Sequence, residues 1–487
     1  MSDDVVIMRH GYISVPNYNF DDSPTLQNFL SEFNEINFKR DYCGLFYDEE
    51  KRELRVPMGV GLSMVSNILH RIPRVDYTTD KIRPIKMTLL VSPRDSVQHQ
   101  IIADIVEHNR KYSQNCIVAN TGIGKTYCAI ACSSFFKHAT MVISHSSKLR
   151  SHWRKKILEY TDLTNNDVVI LDSSKKVFQL IEEGSWDCFK IFTTTHQILY
   201  SLAKQKGWEF VSQLFDLFGI GFTIIDEVHR QFKNTVRILT HTNSKKYLLL
   251  TATFKQSDYQ RNRIFQLCFK NIPKYVQDTI IHGKSQSHIK GYIIEYNSRP
   301  SMETQLSCEV RGLFNTVYYD NYLVSKDREF YNVFDKYVLM CINKTKSFKG
   351  KGLVFCGSIN ACEILASHTA DLVDPYETKV GIYHSEVNKP LKEKERVLKE
   401  CDIVFTTSKS LGEGADIADL HYIIDIEAYR SEILREQIPG RLRDLKDGHN
   451  FNYFKIANIG FKRVSSQITE CSRTWERNFG SLQYRTL

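Results

Sequence analysis

The Cys-x-x-Cys pairs that are typical of zinc ribbons are missing from this chain of 487 residues. Its twelve cysteines are scattered, no C-x-x-C occurs, and the closest pair is Cys128 and Cys132. This excludes a zinc ribbon and a secreted disulfide framework, and it predicts reduced thiols in the core. No apolar run approaches the ~18 residues of a membrane span, and the start, MSDDVVIMRHGY, has no apolar signal core. We therefore expect a cytoplasmic protein, in the host cytoplasm if the source is viral.

The charge balance favours an anionic partner. Formal net charge is +9 and the pI is about 8.8, and such a surplus points first to nucleic acid. The alternative is that the surplus only aids solubility. Hydrophobic and charged fractions of 42% and 25% are ordinary for a globular protein, and the length predicts about three domains.

Apolar strand-like runs alternate with helical stretches in two separate parts of the chain. The first part contains CIVA, TMVIS, DVVILD, KIFTTT, FTIID and YLLLTAT, and the second contains GLVFCGS, KVGIYHS, CDIVFTTS and HYIIDIE. Continuous apolar strands separated by helices predict parallel sheets covered on both faces. We predict an α/β protein with four regions: a small N-terminal α+β domain (1–90), a first sheet domain (91–260), a helical linker (261–344) and a second sheet domain (345–487).

A phosphate-binding loop is predicted at Ala119–Thr126, ANTGIGKT, between a strand and a helix. Its backbone N–H groups and the start of the next helix converge where anionic oxygens are favoured. Gly122 and Gly124 permit the turn, Lys125 reaches the β- and γ-phosphates, and Thr126 holds Mg²⁺. Alanine replaces the first glycine of the strict pattern. The residues expected to contact the nucleotide here are Asn120, Thr121, Gly122, Ile123, Gly124, Lys125 and Thr126.

The second expected element is acidic. In FTIIDEVHR, the apolar run FTII is followed by Asp226 and Glu227. Ligands of open α/β sheets lie at the carboxyl ends of the strands, which is where Asp226 and Glu227 fall. Asp226 is expected to coordinate Mg²⁺ through water, and Glu227 to orient and deprotonate the attacking water. The alternative is a solvated acidic turn.

Together, GIGKT and DEVH resemble motifs I and II of the superfamily 2 helicases, and the later motifs follow in the expected order over residues 91–465. The segments VISHSSKLRSHW, TTTHQIL, TAT, LVFCGS, TTSKSLGEGADI and QIPGRLR resemble motifs Ia to VI. The resemblance implies two tandem RecA-like P-loop domains, with ATP bound between them and closure coupled to a nucleic-acid strand. It also implies that Gln98 reads adenine, and that Asp416 and Gln437 lie near the nucleotide.

The arginines of QIPGRLR depart from the family pattern. Arg441 and Arg443 are two residues apart, and Asp444 stands where the family has its second arginine. One of the two is expected to stabilise the charge that develops on the transferred phosphoryl group. The choice between them stays open, and so does an ordinary surface role for either.

The resemblance also implies contacts to the phosphates of a bound strand, which carry no sequence information. The residues expected to make them are Ser146, Lys148, Arg150, Thr195, His196, Ser358, Thr406 and Thr407. The segment LRVPMGVGLSMVSNIL resembles the small N-terminal domain of phage UvsW-type helicases. That likeness implies that the module binds duplex or branched DNA, and the alternative is a structural cap domain. We expect a monomer that binds single strands, forks and junctions of DNA. Its expected work is branch migration in DNA replication, recombination and repair, alongside proteins of those pathways.

Three alternatives remain at this point. One is an RNA helicase, because no residue reports recognition of a 2′-hydroxyl. Another is the motor subunit of a nuclease complex, with the nuclease on a partner chain. The third, a P-loop GTPase or kinase-like switch, is disfavoured because its guanine-reading motif is matched only by NKTK at Asn343, where Lys346 replaces the aspartate.

Overall fold

The computed structural model divides the chain into two compact units, each with its own hydrophobic core. The first unit comprises residues 1–119 and 123–277, and the second comprises 120–122 and 278–487. The structure describes the chain except for residues 1–4, 20–23, 35–42, 79–80, 120–121, 253, 257, 277–285, 311–312, 375–376, 385–390, 412–416, 429–433, 436–437 and 446, and the side chains of 391–395 and 409. Among the described helices, none is both long and apolar enough to cross a membrane.

Residues 5–78, the N-terminal module, form a mixed sheet with two short helices. Its elements are β1 (Val5–Met8), β2 (Tyr12–Val15), α1 (Pro24–Ser31), β3 (Phe46–Asp48), β4 (Glu53–Pro57), α2 (Leu62–Leu69) and β5 (Ile72–Val75), with a 3₁₀ turn at Met58–Val60. The strand order is β3-β4-β2-β1-β5, and only β1 and β5 pair in parallel. The predicted α+β composition is confirmed.

The described residues of the N-terminal module belong to the same hydrophobic core as the rest of the first unit. The buried Gln114 side chain donates to the carbonyls of His10 and Gly11 at 3.1 and 2.7 Å. The Arg55 guanidinium, also buried, donates to the carbonyl of Thr240 at 3.1 Å. A boundary at residue 90 therefore separates two parts of one packed body, which the sequence pattern alone does not reveal.

The remainder of the first unit is a seven-stranded sheet whose pairs are all parallel, with helices between its strands. Its elements are α3 (Ser96–Lys111), β6 (Gln114–Val118), α4 (Lys125–Phe136), β7 (Thr140–Ser144), α5 (Ser147–Tyr160), β8 (Val168–Ile170), α6 (Ser174–Glu182), β9 (Ile191–Thr195), α7 (His196–Lys206), α8 (Trp208–Phe218), β10 (Phe222–Ile225), α9 (Phe232–His241), β11 (Lys246–Thr251), α10 (Tyr259–Phe269) and β12 (Lys274–Val276), with a 3₁₀ turn at Ser185–Cys188. The order is β12-β6-β11-β10-β7-β9-β8. The apolar runs form buried strands because both faces are covered.

The second unit contains another seven-stranded parallel sheet. Its elements are β13 (Gln286–Tyr296), α11 (Met302–Ser307), β14 (Glu309–Val310), β15 (Leu313–Phe314), α12 (Thr316–Lys326), α13 (Arg328–Thr345), β16 (Lys351–Cys356), α14 (Ile359–Leu372), β17 (Val380–Tyr383), α15 (Leu391–Glu400), β18 (Ile403–Thr407), α16 (Ser408–Leu411), β19 (Leu420–Asp425), β20 (Phe451–Asn458), α17 (Lys462–Asn478) and β21 (Phe479–Thr486), with 3₁₀ turns at Lys346–Phe348 and Pro439–Arg441. The order is β17-β18-β16-β19-β20-β13-β21, and β14 and β15 pair with each other in antiparallel orientation. The predicted fold class is confirmed.

The region predicted as a helical linker, 261–344, contributes a strand to each parallel sheet. Strand β12 pairs with β6 in the first sheet. Strand β13 lies between β20 and β21 in the second sheet. The first of these strands is only three residues long, and the second, QSHIKGYIIEY, mixes polar and apolar residues. Neither shows the continuous apolar run from which the other strands are predicted. Helices α12 and α13 are the helical part of the prediction.

Candidate nucleotide and nucleic-acid sites

The loop between β6 and α4 has the backbone that its two glycines permit. Gly122 and Gly124 have φ of +92° and +91°, in the left-handed region, and Gly124 caps the N-terminus of α4. A Cβ on Gly124 would also collide with Nε2 of Gln98, whereas one on Gly122 would meet nothing within 4 Å. The positive φ favours glycine at 124, and a Cβ there would also displace the Gln98 amide from its hydrogen bonds. Asn120 and Thr121, expected to bind nucleotide, lie outside the described residues.

Lys125 and Thr126 are the first two residues of α4. The Lys125 amine is buried and donates to the carbonyl of Ala119 at 2.6 Å, so the cation is held inside the loop. Thr126 and Ile123 are half-buried. A helix N-terminus combined with a fixed ammonium group favours an anion such as a phosphate.

Gln98 fastens the loop to the start of α3. Its Nε2 donates to the carbonyl of Ile123 at 3.0 Å, and its Oε1 accepts from the backbone N–H of Arg94 at 2.8 Å. The side chain is 4% exposed. Each end of the amide therefore has a protein partner already, so Gln98 supports the phosphate loop, and any contact to adenine must use its second N–H or second lone pair.

The carboxyl ends of β6, β11 and β10 lie side by side. Thr251 is in register with Val118, and Leu249 is in register with Ile225, the residue before Asp226. Neighbouring strands of a sheet are about 4.8 Å apart. This geometry brings the phosphate loop, the acidic motif and the start of TAT to one edge of the first sheet. Thr253, the last residue of TAT, lies outside the described residues.

Asp226 receives a hydrogen bond from a neutral donor. The indole Nε1 of Trp153, on α5, donates to its Oδ2 at 2.8 Å. Trp153 is fully buried and Asp226 is 8% exposed. This oxygen of the carboxylate is therefore oriented by a group that carries no charge of its own.

Glu227 is held in a strained conformation. Its φ is +51°, which costs a non-glycine residue roughly 1–2 kcal/mol. His229 Nδ1 lies 2.8 Å from the hydroxyl of Thr251 and 3.2 Å from Oε2 of Glu227. Only the first contact has hydrogen-bond geometry, so this buried Oε2 has no hydrogen bond among the described residues. A buried carboxylate oxygen with spare acceptor capacity suits a general base.

Several residues expected to contact a strand are helix caps. Ser146 and Thr195 accept from the backbone N–H groups of Leu149 and Ile198, each at 3.4 Å. Lys148 is exposed on the first turn of α5. Arg150 is half-buried, its guanidinium donates to the carbonyl of Leu171 at 3.4 Å, and desolvation lowers its pKa.

His196 does not fit the expected strand contact. It is 1% exposed, and its Nδ1 and Nε2 lie 3.1 Å from the Ser144 carbonyl and from the Thr235 hydroxyl. Burial lowers the pKa of His196 to about 4, so the ring is neutral at physiological pH. Both nitrogens are occupied inside the fold, and we therefore remove His196 from the proposed interface.

In the second unit, Ser358 caps α14 by accepting from the N–H of Ala361 at 3.1 Å. Thr407 accepts from the N–H of Ser410 at 3.1 Å, at the start of α16. Thr406 is fully buried on β18. The side chain of Thr406 is thus placed for packing. Ser358 and Thr407 mark helix N-termini at the carboxyl edge of the second sheet.

The two candidate arginines differ in exposure. Arg441 is half-buried in the 3₁₀ turn, and Arg443 is exposed just after it. Asp416 and Gln437, the other residues expected near the nucleotide, lie outside the described residues.

Acidic residues also stand at the carboxyl edge of the second sheet. Asp425, at the end of β19, lies 3.0 Å from the buried amine of Lys455 and accepts from the hydroxyl of Tyr453. Glu427 accepts from the hydroxyl of Ser408 at 2.8 Å. Burial raises the pKa of Glu427 to about 7, and the neighbouring Asp425 adds to the effect.

Residues 91–256 match the family model described as "Type III restriction enzyme, res subunit". That range contains the phosphate loop, both acidic residues and Trp153. It is about one third of the chain.

Curated relatives are helicases of low identity. The chain is 23% identical over 440 residues to the General transcription and DNA repair factor IIH helicase/translocase subunit XPB of Schizosaccharomyces pombe, covering 84% of this chain and 50% of the relative. It is 24% identical over 183 residues to the Putative DNA 3'-5' helicase Rad25 of Haloarcula marismortui, covering 38% and 26%. The chain thus spans a quarter to a half of the length of the curated relatives it matches.

Solved structures share the two-sheet architecture. Dbp5 of S. cerevisiae, bound to RNA and ADP BeF3, superimposes with a TM-score of 0.52 at 12% identity, over 80% of this chain and 89% of that one. A single-residue variant of Dbp5 with the same ligands gives the same values. The chain shares with these structures a fold of two RecA-like parallel-sheet domains.

Within this fold, Trp153 and His229 contact the acidic residues, although the sequence alone gives neither a role. Trp153 ends the segment that resembles motif Ia, and His229 ends DEVH, but neither letter reveals its partner. The oxygens of Thr126 and Asp226 are ligands that Mg²⁺ prefers, and the loop around Lys125 suits phosphate. The residues present therefore fit a nucleotide with Mg²⁺.

Proposed function

We propose that the chain is an ATP-dependent DNA helicase or translocase that acts on branched DNA, by migrating junctions, remodelling forks and unwinding duplex. One observation carries the proposal: the loop of Gly124 and Lys125 and the pair Asp226 and Glu227 lie at the same edge of a parallel sheet. Phosphoryl transfer needs this combination of a phosphate cradle, a metal-organising acid and a base.

Each residue has a distinct task in this proposal. Lys125 binds the β- and γ-phosphates, and Thr126 and Asp226 hold Mg²⁺, which when bound neutralises phosphate charge. Glu227 orients the attacking water and takes its proton through the buried Oε2. Arg441 or Arg443 stabilises the charge on the transferred group.

DNA is the proposed polyanion, and the support comes from charge and from the relatives. The net charge of +9 favours a polyanion. The relatives from Haloarcula and Mycobacterium tuberculosis are named DNA 3'-5' helicases, and we propose the same polarity for this chain. The proposed phosphate contacts are Lys148, Arg150, Thr407 and the helix N-termini at Ser146, Thr195 and Ser358.

A second candidate is favoured by the match to a restriction-enzyme res subunit. In that case the chain is the motor of a nuclease complex, and a partner supplies the nuclease. The purified chain alone would then translocate on duplex DNA without separating its strands.

The test is a panel of ATPase and strand-separation assays on single-stranded DNA, duplex DNA, a fork, a four-way junction and an RNA duplex. We expect the fork and junction to stimulate ATP turnover most and to be unwound or migrated. Lys125→Ala should lower turnover about 100–1000-fold and leave DNA binding nearly unchanged. Stimulation by RNA alone, or normal turnover in Lys125→Ala, would contradict the proposal.

The arginines are tested one at a time. Arg441→Ala and Arg443→Ala are compared for kcat and for ATP affinity, and the finger is the one whose loss lowers kcat roughly 10³–10⁵-fold with affinity retained. We expect Arg441, because a half-buried guanidinium is desolvated and better fixed than an exposed one. Two mild effects would exclude both.

A further inference from the structure

The indole of Trp153 reaches the candidate metal-organising acid from a helix that is distant in sequence. Its Nε1 lies 2.8 Å from Oδ2 of Asp226, although the two residues are 73 positions apart. Trp153 is 0% exposed, so its position is fixed by the packing of the core. A fixed donor restricts the orientation of the carboxylate that it contacts.

The neutrality of this donor matters. A lysine or arginine at the same place would form an ion pair with Asp226 and compete with a metal cation for the carboxylate charge. An indole N–H does not ionise in the physiological range and donates one hydrogen bond only. It can therefore orient Oδ2 without neutralising the negative charge that attracts Mg²⁺.

Helix α5 carries the indole and also the candidate strand contacts. Ser146 caps its N-terminus, and Lys148 is exposed on its first turn. Trp153 lies seven residues beyond the cap, which is about 10 Å along the helix axis. A displacement of α5 at its N-terminus would thus move the donor to Asp226.

We propose that Trp153 is a positioning residue that sets the orientation of Asp226 and thereby the affinity of the nucleotide site for Mg²⁺. The proposal rests on the proposed function, because it assumes that this edge of the sheet binds Mg²⁺ with a nucleotide. Trp153 touches neither nucleotide nor metal and acts through the carboxylate.

The test measures Mn²⁺ binding in the presence of ADP by electron paramagnetic resonance, for wild type and for Trp153→Phe. Phenylalanine keeps an aromatic ring and lacks the N–H. Loss of an outer-shell partner typically weakens metal binding about 10–100-fold, and we expect a loss in that range. ADP binding in EDTA should stay unchanged. Trp475→Phe is the matched control, because that buried indole donates to a backbone carbonyl, of Arg435, at 2.8 Å.

A double-mutant cycle separates positioning from general damage to the core. If Trp153 acts through Asp226, then Trp153→Phe should have little further effect on Mn²⁺ affinity in an Asp226→Asn background. Additive losses would show that the tryptophan acts by packing alone and would overturn the proposal.

A measurement on the wild-type protein serves if Trp153→Phe does not fold. The chain has four tryptophans, so the indole ¹⁵N–H signal of Trp153 can be assigned by elimination with Phe variants of Trp186, Trp208 and Trp475. Adding Mg²⁺ with ADP should shift that signal, and an unmoved signal would overturn the proposal. If wild type binds no Mn²⁺ with ADP, the proposed function fails as well; if wild type and Trp153→Phe bind it equally, only this inference fails.

Discussion

The two parallel sheets both place acidic residues at the carboxyl edge, but the surroundings of those acids differ. In the first unit, Asp226 accepts from the neutral indole of Trp153. In the second, Asp425 is paired with the buried ammonium of Lys455 at 3.0 Å. Acidic residues at the carboxyl edges of the two sheets therefore have different side-chain donors. The indole of Trp153 orients the Asp226 carboxylate and adds no positive charge. The ammonium of Lys455 balances the negative charge of Asp425 inside the core.

Among the changes that compare the two sheet edges, replacing the candidate base should have the largest effect. Glu227→Gln removes the proton acceptor and keeps the shape, so we expect kcat for ATP to fall about 10²–10⁴-fold while ATP still binds. Steady-state ATPase and nucleotide titration measure the two quantities. Glu427→Gln, the same change at the edge of the second sheet, is the control and should leave kcat near the wild-type value. If both variants lowered kcat equally, the acidic residues of the two sheet edges would not differ in their contribution to catalysis.

Breaking the ion pair of the second sheet should affect stability. Lys455→Met removes the ammonium that balances the buried charge of Asp425, which typically costs about 3–5 kcal/mol of unfolding free energy. Urea unfolding of the full chain measures the loss. Lys346→Met, which breaks the exposed pair with Glu377 in the same unit, should cost at most about 1 kcal/mol. If Lys455→Met is as stable as wild type, the ion pair between Lys455 and Asp425 does not stabilise this edge of the sheet.

Replacing Gly124 by alanine should disturb the phosphate loop of the first sheet and leave the second sheet unaffected. An alanine there has an unfavourable φ, costing about 1–2 kcal/mol, and its Cβ also meets the Gln98 amide. We expect weaker nucleotide binding, measured by titration with a fluorescent ADP. Gly184→Ala carries a similar positive φ with no atom within 4 Å of the new Cβ. It should lower stability slightly and leave nucleotide affinity intact; a matching loss of affinity would refute the steric role of Gly124.

The smallest expected effect is the pH dependence of stability that comes from Glu427, at the edge of the second sheet. Burial raises the pKa of Glu427 from 4.5 to about 7, so the folded state binds more protons than the unfolded state between these values. Stability is then greatest below the lower pKa and declines as pH rises through the folded one, by up to about 1.4 kcal/mol per pH unit. Unfolding at pH 5, 6 and 7 measures the slope. Glu427→Gln should flatten it by that amount, and an unchanged slope would assign the titration elsewhere.

The sequence predicts best those features that depend on local pattern. Buried parallel strands appear in the sequence as apolar runs, and the phosphate loop appears as small residues before Lys125. Both can be predicted because backbone conformation and anion binding depend on a few neighbouring residues. Strand β13 is not predicted because its polar and apolar residues follow no regular period, and β12 because three residues carry little periodicity. Both are stabilised by neighbours distant in sequence.

Side-chain partners across the core could not be predicted. His196 has the letters of a strand-contacting motif, yet it bonds to Ser144 and Thr235, which lie on other elements. The indole of Trp153 likewise finds Asp226 only after two strands and a helix have packed. The shared core of the N-terminal module depends on the same kind of distant contact. These pairings arise from tertiary packing, which a single sequence does not encode as a short pattern.

Strand β6 has a mechanical consequence through the residues at its two ends. Gln114, at one end, holds the backbone of the N-terminal module by two hydrogen bonds, and Val118, at the other, leads into the phosphate loop. Five residues of strand form a rod of about 16 Å, clamped on both sides by neighbouring strands. A pulling force on the backbone of His10 and Gly11 would be transmitted along this strand toward the loop. Tension applied at one end of the strand is thus felt at the other, where the nucleotide is expected to bind.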